Sequence, residues 1–171
     1  NGRLHARGQL MPMADALRPL HAHDDDQNGL GLDLGVVSGF GDPMLRLGPI
    51  KIFMDGAMSS ETAAMYENYE GSDTPGYFQD DPEVLRARVL DTYRAGWSLA
   101  VHAIGDKAVA KAIEFICEAQ DTYGFPAQRQ PGHTIPNRIE HAAMVSDSQL
   151  KTLRDYGIVV TPQAAFADAI G

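Results

Sequence analysis

The sequence is poor in cysteine and in positive charge. Cys117 is the only cysteine in 171 residues, which excludes an internal disulfide and any metal site built from thiolates. Lys and Arg number 14 against 23 Asp and Glu, for a formal net charge of −9. A chain of that sign has no basic face for a nucleic-acid backbone or an anionic membrane, so neither is expected as a partner. No apolar run is long enough to span a bilayer. No leader-like segment opens the chain, and a cytoplasmic location is the expectation. A glycine-rich phosphate loop is missing too: "HAIGDKA" carries one glycine where a dinucleotide fingerprint needs three. There is no solenoid-like repeat and no low-complexity tract.

What is present is an alternation. "LRLGPIKIFMDG" holds a compact apolar strand, Ile50 to Met54, entered through Pro49 and closed by Asp55-Gly56. "DPEVLRARVLDTYRAG" reads as a helix capped by Asp81, with Pro82 at its first position and Gly96 at its end. "WSLAVHAI" is the next strand. "GDKAVAKAIEFICEAQDTYG" is an amphipathic helix whose apolar stripe includes Val109, Ile113, Ile116 and Cys117. "NRIEHAAMV" is a short strand, "DSQLKTLRDYG" a helix capped by Ser146, and "IVVTPQ" a further strand. Strands alternating with helices predict parallel pairing through right-handed crossovers. A doubly wound sheet and a barrel both satisfy that order. The chain reads as one α/β domain over 1–171, with clear β/α repeats over 49–171. Residues 1–48 read as a less regular segment with an exposed acidic loop, "HAHDDDQNGLGLDLG". "NGRLHARGQL" reads as a helix end and "MPMADALRPL" as short and helix-like.

In parallel α/β architectures functional groups collect at the carboxyl ends of strands. Lys51, His102 and His141 fall at or near three such ends. Each is costly in a dry core without a partner. A divalent metal satisfies two imidazoles at once, and histidine nitrogen is a favoured zinc ligand. A hydrogen-bonded structural histidine and a lysine snorkelling at a rim explain each residue taken singly. His21-x-His23 offers a second histidine pair, but in a polar acidic stretch rather than at a strand end, and reads as loop.

The stretches "LRLGPIKIFMDGAMSSETAAM", "GWSLAVHAIGDKAV", "NRIEHAAMVS" and "YGIVVTPQAAF" resemble the metal-dependent amidohydrolase superfamily. More closely they resemble amidohydrolase family 3, the branch that includes N-substituted formamide deformylases. The likeness runs in order over about residues 40 to 171. It implies a partial TIM (β/α)8 barrel, about strands 4 to 7 with their helices, as part of a larger metallo-hydrolase barrel. It implies hydrolysis of carbon–nitrogen bonds of amide or formamide type in a small-molecule substrate, by metal-activated water. Carried over, Lys51 matches a metal-bridging lysine, often carboxylated, and His102 and His141 match the ligands of the fifth and sixth strands. The cofactor implied is a divalent metal, most often zinc, one or two in the complete protein. A first-strand H-x-H and an eighth-strand aspartate acting as general base are expected before Asn1 and after Gly171. The chain alone is therefore expected to be inactive and need not hold metal.

Asp55, Arg138 and Glu140 are the candidates to support these ligands. Period-two alternation puts Arg138 and Glu140 on one face, opposite Ile139 and His141. Asp106 reads as the cap of the helix after Gly105, Trp97 as packing beneath its strand, and His133 as a loop residue. Two departures from the family pattern stand out. Glu61 follows Ser59-Ser60 where an arginine is usual, and "GQL" runs into "MPMADAL" with no room for a complete strand. Since a full barrel needs about 250 residues, this chain is expected to expose a sheet edge and an apolar face. Those would drive homo-oligomerisation or association with the rest of a barrel. The alternative to an enzyme is a truncated barrel kept as an oligomerising or binding domain.

Overall fold

The computed structural model describes residues 5–20, 29–31, 36–129 and 134–165. The N-terminal part holds β1 (Gly8–Leu10), β2 (Arg18–Leu20), β3 (Gly29–Gly31) and β4 (Leu45–Leu47). β1 pairs with β4 in parallel, and β2 with β3 antiparallel. The remainder alternates β5 (Ile50–Phe53), α1 (Pro82–Arg94), β6 (Leu99–Ala103), α2 (Asp106–Tyr123), α3 (Pro126–Arg129), β7 (Arg138–His141), α4 (Asp147–Asp155) and β8 (Val159–Thr161). β5 to β8 form one parallel sheet in chain order.

The helices start where capping chemistry is available. Asp81 accepts the Glu83 N–H at 2.8 Å, with Pro82 at the first helical position of α1. Ser146 and Gln149 form a reciprocal capping box on α4. α2 departs from expectation: its cap position is Gly105, not Asp106. The Asp106 carboxylate instead accepts the N–H groups of Lys107 and Tyr66, tying the helix start to the long 56–80 connection. Gly105 is required because a Cβ there would lie 2.1 Å from the Ala64 carbonyl oxygen.

One face of the sheet is apolar. Ile50, Ile52, Met54, Leu99, Val101, Ala103 and Ile139 are buried against Leu85 and Val89 of α1, Val109 and Ile116 of α2 and Leu153 of α4. Trp97 is fully buried in this core, and Cys117 packs at its margin. The described helices all contribute to this one core, and the other face of the sheet is polar.

Two N-terminal expectations are corrected. "GQL" is strand β1, not a helix end, and "RPL" after a single 3-10 turn is strand β2. A strand position next to the lysine strand is also filled after all. The Lys51 N–H donates to the Pro12 carbonyl at 2.8 Å, and Met13 bridges Lys51 in the parallel sense. Residues 8–13 thus flank both β4 and β5. Gly8 and Pro12 weaken any strand signal here, so pairing with a neighbouring backbone sets this conformation.

Core and cap predict different sensitivities. Ile139→Ala, at a position with no solvent exposure, should cost about 2–5 kcal/mol. Ser146→Ala should cost about 1 kcal/mol through lost capping. Urea denaturation midpoints of the two variants would check the ranking.

Candidate metal centre

Strand register stacks the polar face in two rows. Phe53, His102, Glu140 and Thr161 are aligned across β5 to β8. Lys51, Ala100, Arg138 and Val159 form the row two residues upstream. Lys51 therefore sits one layer deeper than His102, and Phe53 takes the equivalent place at the end of β5. The Lys51 ammonium lies 4.8 Å from the centre of the Phe53 ring, which itself lies 4.9 Å from the His102 ring.

His141 does not belong to either row by alternation. It pairs with Ala103, whose side chain is in the helix-facing core. The backbone overrides the alternation: His141 has φ 73° and Ala142 φ 46°. Left-handed backbone is uncommon for residues with a Cβ and is held only where the surroundings compel it. Here the Ala142 N–H is held by the carbonyls of Ala103 and Glu140. The turn brings the His141 ring edge-on to His102, with centroids 4.6 Å apart. The two candidate imidazoles thus meet, although period two assigns them to opposite faces.

Supporting contacts surround them. Nε2 of His102 lies 2.9 Å from the Gly56 carbonyl oxygen and 3.4 Å from Oδ1 of Asp55. Asp55 is buried and accepts the N–H groups of Ala64, Ile104 and Gly105. The His141 Nδ1 donates to the Gln163 side-chain oxygen, a partner not anticipated from the sequence. Burial holds the His141 imidazole below the ordinary histidine range. His102 and Lys51 add to that shift, while Gln163 and Glu140 oppose it. The Arg138 Nε donates to Glu140 at 2.5 Å, and the Thr161 hydroxyl donates to the same carboxylate at 2.6 Å. Burial by itself would raise the Glu140 carboxyl, but Thr161 and Arg138, with Lys51 beyond them, hold it below the ordinary glutamate range. Burial lowers the Lys51 ammonium, opposed by Glu140 and reinforced by Arg138. Arg138 also reaches across the polar face to Gln9 and Met11 of the β1 segment.

A cavity of about 610 Å³ opens beside these groups, lined by Lys51, Phe53, Asp55 and His102 on the sheet side and Ser60, Thr62 and Gln79 on the connection side. The donors fit a divalent cation: two imidazoles in edge contact, one favoured in its neutral form, beside an amine whose charged form is disfavoured. Among the described residues no cluster of three His, Cys, Asp or Glu gathers, so this chain brings two imidazoles and an amine rather than a full ligand set. The pair His21 and His23, and His133, lie outside the described residues. Asp55 and Gln163 could have been suspected only from their place directly after strands that carry candidate ligands.

The amidohydrolase family model matches residues 5–170. The chain belongs to the amidohydrolase family, in the family 3 branch that its motifs resemble. It is 33% identical over 122 residues to the protein LONG AFTER FAR-RED 3 of Arabidopsis thaliana, which covers 70% of this chain and 19% of that protein. Among solved structures it is similar to an uncharacterized metal-dependent hydrolase of Pyrococcus furiosus, with TM-score 0.65 and 29% identity over 81% of this chain and 26% of that one. An uncharacterized metal-dependent hydrolase of Pyrococcus horikoshii OT3 gives TM-score 0.61 and 29% identity over 78% and 25%. The chain spans 14–19% of the length of the curated relatives it matches.

Two titrations follow from these environments. The midpoint of His141 should lie below the ordinary histidine value. Stability tied to neutral His141 is then present above that value and lost as pH falls through the depressed midpoint. An NMR titration assigned with His141→Gln would read the midpoint, and one at or above the ordinary value would contradict the placement. Burial, with Asp121 nearby, pushes the Cys117 thiol up to about 11. Its reaction with a disulfide reagent should therefore be slow at pH 7 and accelerate steadily toward pH 11 in a stopped-flow profile.

Proposed function

We propose that this chain is the central part of a metal-dependent hydrolase barrel that cleaves amide-type carbon–nitrogen bonds in a small-molecule substrate. The observation that carries the reading is the meeting of His102 and His141, 4.6 Å apart, on the polar face that also carries Lys51. A chain-order parallel sheet with one helix-covered face and one polar face fits a barrel wall, its polar face turned to the lumen. A doubly wound sheet would carry helices on both faces.

In this reading His102 and His141 hold a divalent cation, zinc by the preference of imidazole donors, and Lys51 joins them as its carbamate. Bound there, the metal supplies a polarised carbonyl and a more acidic water. The residues of this chain prepare that site. Burial favours the neutral Lys51 amine, the form whose nitrogen lone pair adds to carbon dioxide with release of a proton. Glu140 offsets the remaining positive charge beneath it and is itself held by Arg138 and Thr161. Gln163 and Asp55 brace the two rings. The cavity beside them gives the substrate a wall of hydroxyl and amide groups from Ser60, Thr62 and Gln79. The general base and the remaining ligands come from parts of the barrel not in this chain, so the chain alone is inactive and associates with the rest of a barrel or with a second copy.

Elemental analysis of the complete protein, purified without chelator, tests the reading. One to two metal ions per chain are expected, reduced by at least half in His102→Ala and in His141→Ala, with loss of amide hydrolysis. A folded wild-type protein without metal would sink the proposal and favour a scaffold role for the barrel.

A further inference from the structure

Every group placed against the Asp55 carboxylate is a donor or a ring nitrogen. Oδ2 accepts the N–H of Ala64 at 3.0 Å and of Gly105 at 2.8 Å. Oδ1 accepts the N–H of Ile104 at 3.1 Å and lies 3.4 Å from Nε2 of His102. The same nitrogen lies 2.9 Å from the Gly56 carbonyl oxygen. Two acceptors therefore converge on Nε2. A neutral imidazole has one proton to place on one of its two nitrogens, and both acceptors draw that proton to Nε2.

We infer that Asp55 is a positioning residue for His102: its buried carboxylate fixes the ring in the tautomer protonated at Nε2, leaving the Nδ1 lone pair free for a ligand. The same carboxylate ties the 56–64 connection to the turn between β6 and α2, so the ring is set by the contact that closes the loop beside it. Only the use made of the free lone pair rests on the metal-centre reading; the tautomer does not.

Asp55→Asn separates the charge from the shape. Its oxygen can replace Oδ2 before Ala64 and Gly105. Its NH2 then takes the place of Oδ1 and faces the N–H of Ile104 and Nε2 of His102. A donor against Nε2–H favours moving the ring proton to Nδ1. Long-range 1H–15N NMR on the metal-free, 15N-labelled chain reads the tautomer directly, with His102→Gln to assign the ring. We expect wild-type His102 protonated at Nε2, and Asp55→Asn shifted toward the Nδ1-protonated form. Asp55→Ser removes the acceptor from Nε2 without adding a facing amide, and should shift the ring the same way by less; it serves if Asp55→Asn does not fold. Wild-type His102 protonated at Nδ1, or folded variants with the wild-type tautomer, would overturn the inference. Because no metal is present in this measurement, absence of metal from the complete protein would retire the hydrolase reading and leave the role of Asp55 standing.

Discussion

The parallel register of β5, β6 and β7 sets both what this domain buries and what it displays. Once Ile52, Val101 and Ile139 are aligned and packed under the helices, alternation sends Lys51, His102, Arg138 and Glu140 to the other side. A slip of one residue would bury those polar and charged groups and expose the apolar set. Burial of the helix-facing side therefore holds the polar face in place, although no polar contact has to be strong for that.

Two local features depart from that regularity, and both serve the histidines. The left-handed backbone at His141 and Ala142 breaks alternation at the last residue of β7 and turns one imidazole to the other. Asp55, just past the end of β5, takes backbone N–H groups from Ala64, Ile104 and Gly105, so the connection after β5 and the turn after β6 share one anchor. The tight approaches at Gly56 and Gly105, where a Cβ would meet Thr62 and Ala64 at 2.0 and 2.1 Å, make that anchor specific to glycine at both places. Strain and close contact gathered at strand ends are what a built site needs, and the opposite ends of these strands show no such cluster among the described residues.

The uncovered face is more polar than a severed barrel was expected to show. Arg138, Glu140 and Thr161 satisfy one another, and Arg138 spans to Gln9 and Met11. Exposed apolar groups are present at its margins, as at Leu10, Met13, Phe53 and Val159, rather than as one continuous sheet. Association with further barrel strands would then be guided by charged and polar partners as well as by apolar burial.

By itself the sequence determined the β/α alternation after residue 49, the caps at Asp81 and Ser146, and the presence of Lys51, His102 and His141 at or near strand ends. Those follow from local chemistry: apolar period, capping side chains and short strand lengths. Only the tertiary structure decided that β1 continues beside β5, because that strand is made by backbone pairing with distant residues and not by its own propensity. It alone placed Lys51 a layer below His102, since relative depth depends on register between strands 50 residues apart in the chain. And it alone brought His141 to His102, because the turn at 141–142 is imposed by carbonyls of β6 and β7, against the conformational preference of the two residues that adopt it.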